Sequence, residues 1–312
     1  CGQCPVFRTG QYSIICIMTK FSALLAKASK AVDKEMDDQL PSGQELEHRL
    51  FDAMRYATLG GGKRLRPFMV IAGGAIFDLK MAECLRVSAA VEFVHAYSLV
   101  HDDLPCMDDD DLRRGRPTVH VEFDEATAIL TGDALLTLAF EILADRKTSP
   151  DPEVRMELVA GLARAAGGHG MVGGQMLDLW AEGNSLDASG AARMQRLKTG
   201  ELIAFACEAG GILARARPQQ RKALRMFAHD LGLAFQITDD LLDEEGSTEE
   251  VGKATRKDAA ARKATAVAIL GIDGARDRAN YLSKQAAAHL DHFGKKANTL
   301  RDLCEFVINR TN

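Results

Sequence analysis

The 312-residue chain carries 39 lysines and arginines against 44 aspartates and glutamates, a net charge of −5, which argues against nucleic acid as a partner while leaving local basic patches available to an anionic small molecule. Hydrophobic residues make up 46% and charged residues 27%, the composition of a globular chain with a buried core, and no apolar run reaches the roughly 18 residues of a membrane span. The seven cysteines are scattered and odd in number, which fits reduced thiols in a cytosol, and the single Cys1–Cys4 CxxC pair has no second pair to complete a zinc site.

Residues 1–17 read as a non-native or disordered extension ahead of a natural start at Met18, too short in apolar content for a signal segment. From there residues 21–36 and 46–59 repeat an amphipathic helical pattern. Residues 86–100, with Val87, Ala90, Val91, Val94 and Leu99, are apolar or small on most faces, the mark of a helix in the protein core. Similar central helices are predicted over 126–143, 200–213 and 223–242. The breaks fall at 41–43, 60–62, 148–152, 183–185 and 246–248, and none is a long linker. No alternating stretch supports a sheet, so the expectation is one all-α domain over residues 18–312.

Two aspartate clusters sit at the ends of apolar helices. In the second, Asp239 and Asp243 are four apart and share one helical face, with Asp240 on its flank. In the first, Asp102 and Asp108 are six apart, and Pro105 between them breaks the helical hydrogen bonding. A looped-out 104–107 segment would bring Asp108 back beside Asp102. Asp109 to Asp111 then look surplus, solvated or capping, and Cys106 reads as a packing residue. Carboxylates at buried helix ends need a cation, and an all-oxygen set without His or Cys favours Mg2+ over zinc.

The candidate anion site is Gly60-Gly61-Gly62-Lys63-Arg64-Leu65-Arg66-Pro67, where flexible glycines expose N–H groups and Pro67 suits the start of a helix. It lacks the Ser or Thr and the preceding strand of a Walker A loop. Arg113 and Arg114 follow Asp108 closely, and Lys198-Thr199, Lys253 and Lys263 add cations near helix ends. His95 could donate to a diphosphate or be a satisfied core histidine. Gln175 and Asp178 put polar groups on a probable inner helix.

Together these residues resemble the trans-isoprenyl diphosphate synthases, in particular the bacterial farnesyl diphosphate synthases, from about Phe21 to the C-terminus. The resemblance rests on GGGKRLRP (60–67), the first aspartate motif with its two-residue insertion (102–114), Lys198-Thr199, Phe235-Gln236 and DDLLD (239–243). It implies a helical bundle around a deep central cavity, usually a homodimer. It implies three Mg2+ ions ligated by Asp102, Asp108 and Asp239, with Asp103 and Asp243 in the metal set and Asp240 and Lys198 among the catalytic residues. Arg113, Lys198, Thr199, Gln236, Lys253 and Lys263 should then contact the allylic diphosphate, and Lys63, Arg66, His95 and Arg114 isopentenyl diphosphate. Arg262 stands before Lys263 where the family often has glycine, which weakens the match there.

Tyr97 and Ser98 lie five and four residues before Asp102, one helical turn below the metals. A bulky Tyr97 there implies a floor for the growing chain and a C15 product. The alternatives are a C20 synthase with a deeper pocket and a non-catalytic helical subunit of a synthase. A terpene cyclase would not need the basic GGGKRLRP segment.

Overall fold

The computed structural model describes residues 9–44, 46–249 and 266–310. Helical periodicity is realised as α1 (Thr9–Gln39), α2 (His48–Thr58), α3 (Leu65–Ala75), α4 (Met81–Asp102), α5 (Val119–Glu122), α6 (Glu125–Ala144) and α7 (Pro152–Ala166). There follow α8 (Met171–Glu182), α9 (Ala188–Gln195), a π-helical turn (Arg196–Gly200), α10 (Glu201–Leu213), α11 (Pro218–Glu249), α12 (Ala266–Ala288) and α13 (Asn298–Asn309). Among the described residues the only strands are β1 (Leu112–Arg113) and β2 (Arg116–Pro117), an antiparallel pair that the hydrophobic pattern did not reveal.

Two helices form the centre. In α4, Val87 to Val94 are all buried, and in α10 so are Leu202 to Ile212. Phe93, Phe205 and Phe227 are fully enclosed, each worth about 1.5–3 kcal/mol of burial. A helix apolar all round has no face to offer water, so α3, α6, α7 and α11 must wrap these two. At the far end, Phe21 of α1 packs edge-on against Phe68 of α3 at 5.3 Å and against Phe306 of α13 at 5.1 Å.

Charged residues brace the bundle where helices meet. Arg64, buried and with φ of +49°, donates to Glu92 on α4 at 2.7 Å, to Asp33 on α1 at 2.8 Å and to the Thr58 carbonyl at 2.7 Å. Glu208 on α10 accepts from Arg221 and Arg225 of α11 at 3.0 and 2.8 Å. Such pairs hold register, because removing one partner strands a buried charge.

Within the segment read as a non-native or disordered extension, residues 9–17 are helical and continuous with α1, and residues 1–8 lie outside the described residues. Two sequence expectations are revised. The 246–248 break does not occur, as α11 runs through it to Glu249. Among the described residues one helix does reach the length and apolarity of a membrane crossing: α6, with a mean hydropathy of 1.6. Its composition reflects packing, since Ala128, Thr131, Leu135, Ala139 and Ile142 form a stripe buried in the bundle, beside α4.

Candidate active site

The first aspartate cluster begins where α4 ends. After Asp102 the chain loops out through Pro105 and folds back: the Met107 N–H donates to the Leu104 carbonyl at 2.8 Å, and the Asp108 N–H donates to the Asp102 carbonyl at 2.8 Å. Asp108 is thereby returned to Asp102, as the proline spacing led us to expect. The two carboxylates feel each other. Burial first, and then the charges of Asp108 and Asp103, push the Asp102 carboxyl up to about 6, against the opposing pull of Lys198 and Arg113.

Asp103, expected in the metal set, is paired with a guanidinium in this structure. It is buried, and both its oxygens accept from Arg113 Nε, at 2.8 and 2.9 Å. This fork holds the β1–β2 hairpin against the end of α4. Arg114 and Gly115 occupy the hairpin turn at φ of +54° and +74°, a turn of the type that twists with its strands. From there Arg114 reaches across to donate to the Gly61 carbonyl, so the hairpin and the glycine loop close on one another.

Between them lies a narrow basic cleft lined by Tyr56, His95, Asp103, Arg113, Arg114 and Arg116. Burial, followed by the positive charges of Arg66, Arg114, Arg113 and Arg64, holds the His95 imidazole neutral, well below its ordinary range. Burial likewise lowers Arg66 and Arg114. Arg66 Nη1 stands 3.4 Å from His95 Nε2, and its buried Nε has no partner among the described residues. Several guanidiniums crowded around a neutral histidine make a site whose missing component is an anion. Lys63, on the preceding loop, is exposed.

Across α4 opens a second, larger cavity of about 400 Å³. Arg66, His95, Asp102, Lys198 and Thr199 line it at the polar end, and Tyr97, Met107, Met171 and Leu179 line its apolar part. Ser98 also lines it, its hydroxyl donating to the His95 carbonyl at 2.9 Å. Tyr97 is buried, and burial with the Asp102 charge pushes its phenol up to about 12.

The π-helical turn sets Lys198 and Thr199. A π-turn inserts one extra residue per turn and re-aims the side chains that follow. Lys198 Nζ donates to the buried Asp178 of α8 at 2.6 Å. The two elements meet backbone to backbone: a Cβ at Gly174 would lie 2.1 Å from the Lys198 nitrogen, so only glycine fits. Gln175 lines the same cavity, its amide buried without a partner among the described residues.

The second cluster lies on uninterrupted helix, as its four-residue spacing required. Asp239 accepts from Arg310, which also donates to the Phe235 carbonyl at 3.0 Å and stacks over the Phe235 ring at 3.7 Å. The charge of Asp239 reaches Arg66, which places the two motifs at the same end of the bundle. Asp240 follows on the same helix, half-buried. The side chain of Asp243, and Lys253 and Lys263, lie outside the described residues. Gln236 does not line the main cavity; it borders a small one behind the π-turn with Arg196, His229 and Leu233.

A polyprenyl synthetase family model matches residues 47–303. The chain belongs to the polyprenyl synthetase family. It is 41% identical over 295 residues to a farnesyl diphosphate synthase of Haemophilus influenzae, covering 94% of this chain and 99% of that one. It is 38% identical to a chloroplastic geranylgeranyl pyrophosphate synthase of Catharanthus roseus, covering 94% and 82%. The crystal structure of an FPP/GFPP synthase from Zymomonas mobilis superposes with a TM-score of 0.85 at 46% identity, covering 93% of this chain and 99% of the other. The basic cleft and the larger cavity share the α4 wall at His95 and Leu99.

Among the described residues no three or more His, Cys, Asp or Glu side chains gather around one point as a ready-made metal site. The oxygen chemistry of the first cluster nevertheless fits a hard divalent cation: a backbone hydrogen bond brings Asp108 back to Asp102, and burial raises the Asp102 carboxyl to about 6, a cost that a bound cation would offset further. Sequence reasoning missed Arg64, the Asp103–Arg113 fork, the Asp178–Lys198 pair and Arg310. Asp178 alone carried a signal, as a carboxylate on an otherwise apolar helix face.

Proposed function

We propose that this prenyltransferase condenses isopentenyl diphosphate with dimethylallyl and then geranyl diphosphate, releasing farnesyl diphosphate. The observation that carries the reading is the pair of cavities on opposite sides of one α4 wall, one basic and one polar at its mouth and apolar below. Arg66, His95 and Arg114, with Lys63 on the loop, hold isopentenyl diphosphate. Lys198 and Thr199 face the allylic diphosphate from the larger cavity, Arg113 approaches it from the basic cleft, and Gln236, Lys253 and Lys263 are outer members of the set. Asp102, Asp103, Asp108, Asp239 and Asp243 would hold three Mg2+ ions, with Asp103 also braced by Arg113 and Asp240 among the catalytic residues. When bound, Mg2+ neutralises charge that develops on the leaving diphosphate.

The chain's own residues do the rest. Lys198, pinned by Asp178, presents its charge to the leaving group without a reorganisation cost. The C1–O bond breaks, diphosphate leaves with the electron pair, and the allylic cation remains in an apolar cavity from which water is excluded. The double bond of isopentenyl diphosphate, positioned by the Arg66–His95 side, attacks C1. The resulting tertiary cation loses a proton from C2 to the departed diphosphate, the strongest base left beside it. Tyr97 closes the cavity and sets the length at C15.

A homodimer completes the reading, supported by the apolar surface of Val121, Ile129 and Leu130, which are 48%, 45% and 56% exposed on α5 and α6. Light scattering on the purified chain checks it, a dimer mass being expected. Incubation with Mg2+, isopentenyl diphosphate and geranyl diphosphate tests the activity. A C15 product is expected; a C20 product would favour the geranylgeranyl alternative that the Catharanthus relative represents, and no turnover would favour the subunit reading.

A further inference from the structure

We infer that Gly132 and His101 together form a second determinant of product length, a notch that keeps a ring out of the tail's path. This rests on reading the larger cavity as the pocket for the growing chain. His101 lies one helical turn above Tyr97 and just before Asp102, so any tail running from the metal end toward Tyr97 passes it. Both residues border the cavity, their rings standing edge to face with centroids 5.7 Å apart.

The His101 ring is turned away toward α6, where Nε2 donates to the Ile129 carbonyl at 3.0 Å. That position exists only because residue 132 has no side chain. A Cβ at Gly132 would stand 2.1 Å from His101 Nε2, 2.4 Å from Cδ2 and 2.7 Å from Cε1. Three ring atoms would overlap a single methyl group, so the imidazole must leave the notch and give up its hydrogen bond. Gly132 is itself buried, in the interior of α6, where glycine is a poorer helix former than alanine. The notch therefore carries a local cost that the ring's placement explains. Once expelled, the ring's open neighbour is the cavity, and there it obstructs the tail about one turn short of Tyr97.

The two substitutions consequently act differently. Gly132→Ala should shorten the product, while His101→Ala removes a ring already clear of the tail and should keep the parent product. In Gly132→Ala, kcat with dimethylallyl diphosphate should stay within about twofold, while KM for geranyl diphosphate rises about tenfold and C10 accumulates, the size of effect one methyl-scale obstruction gives in an apolar pocket. In His101→Ala the product should remain C15. The double variant Gly132→Ala/His101→Ala has no ring to expel and should return to C15 or longer.

Product chain lengths for these three variants and for Tyr97→Ala, measured after phosphatase treatment of the mixtures, test the idea. A Gly132→Ala profile identical to the parent, or a double variant that still stops at C10, overturns the notch. If Gly132→Ala does not fold, His101→Phe, whose ring has no N–H to hold it against the Ile129 carbonyl, decides in its place: C10 accumulation supports the notch and an unchanged C15 product overturns it. Lengthening in Tyr97→Ala with no response in the other variants rejects the notch and keeps the tail pocket; no shift in any variant rejects both.

Discussion

The two aspartate clusters, proposed to share one task, are built in opposite ways. The first is assembled by a loop: α4 stops at Asp102, Pro105 turns the chain, and a backbone hydrogen bond of 2.8 Å returns Asp108 to its partner. The second is simply part of α11, and its geometry comes free with the helix. What differs is how each is braced. Asp103 and Arg113 lock the first from within, ten residues apart in sequence, whereas Arg310, 71 residues beyond Asp239, braces the second from the C-terminal end. A looped ligand set needs a local anchor, because loop backbone is otherwise free to move; a helical one needs only a neutralising neighbour.

The sharpest way to break the comparison is to neutralise one ligand on each side. Asp102→Asn and Asp108→Asn should each lower kcat by about a thousandfold, the upper range for removing a charge-stabilising group. Asp239→Asn should have a smaller effect, since its carboxylate is already shared with Arg310. Steady-state kinetics with geranyl diphosphate at saturating Mg2+ checks the ranking, and a larger effect at Asp239 would reverse the assignment.

Lys198→Ala comes next, with an expected fall in kcat of about a hundredfold from loss of a preorganised cation. It also strands the buried Asp178, so the melting temperature should fall, and Lys198→Ala/Asp178→Asn should recover the stability but not the rate. Recovery of both would reduce Lys198 to a packing role.

Among the described residues, helical class and core were legible because period-3.6 apolarity is a local property, and residues 86–100 and 200–213 proved to be the central helices. The return of Asp108 was legible too, since a proline between two carboxylates six apart leaves few backbone solutions. The braces were not legible. Arg310 and Asp239, or Lys198 and Asp178, meet through tertiary packing that no spacing encodes. The apolar length of α6 was overlooked because its burial stripe and its exposed Ile129 and Leu130 add up to a membrane-like average.

Smaller effects sharpen the difference in bracing. Arg113→Ala leaves Asp103 buried and unpaired, and should cost about 2–3 kcal/mol in denaturant unfolding, below the roughly 3–5 of a fully enclosed pair because Arg113 is 33% exposed. Arg310→Ala removes a hydrogen bond to a carboxylate and a stacked ring, about 1–2 kcal/mol, with turnover less affected than in Arg113→Ala. Equal losses of activity in the two would mean that the loop gains nothing from its local anchor.

The central claim is that the Pro105 loop builds a metal-dependent diphosphate site from Asp102 and Asp108. Calorimetric binding of the unreactive thiolodiphosphate analogue of geranyl diphosphate, with Mg2+ and with EDTA, to the parent and to Asp108→Asn tests it directly. Mg2+-dependent binding that weakens at least tenfold in the variant is the expected result. Equal affinity in EDTA, or an Asp108→Asn variant that binds like the parent, would contradict it.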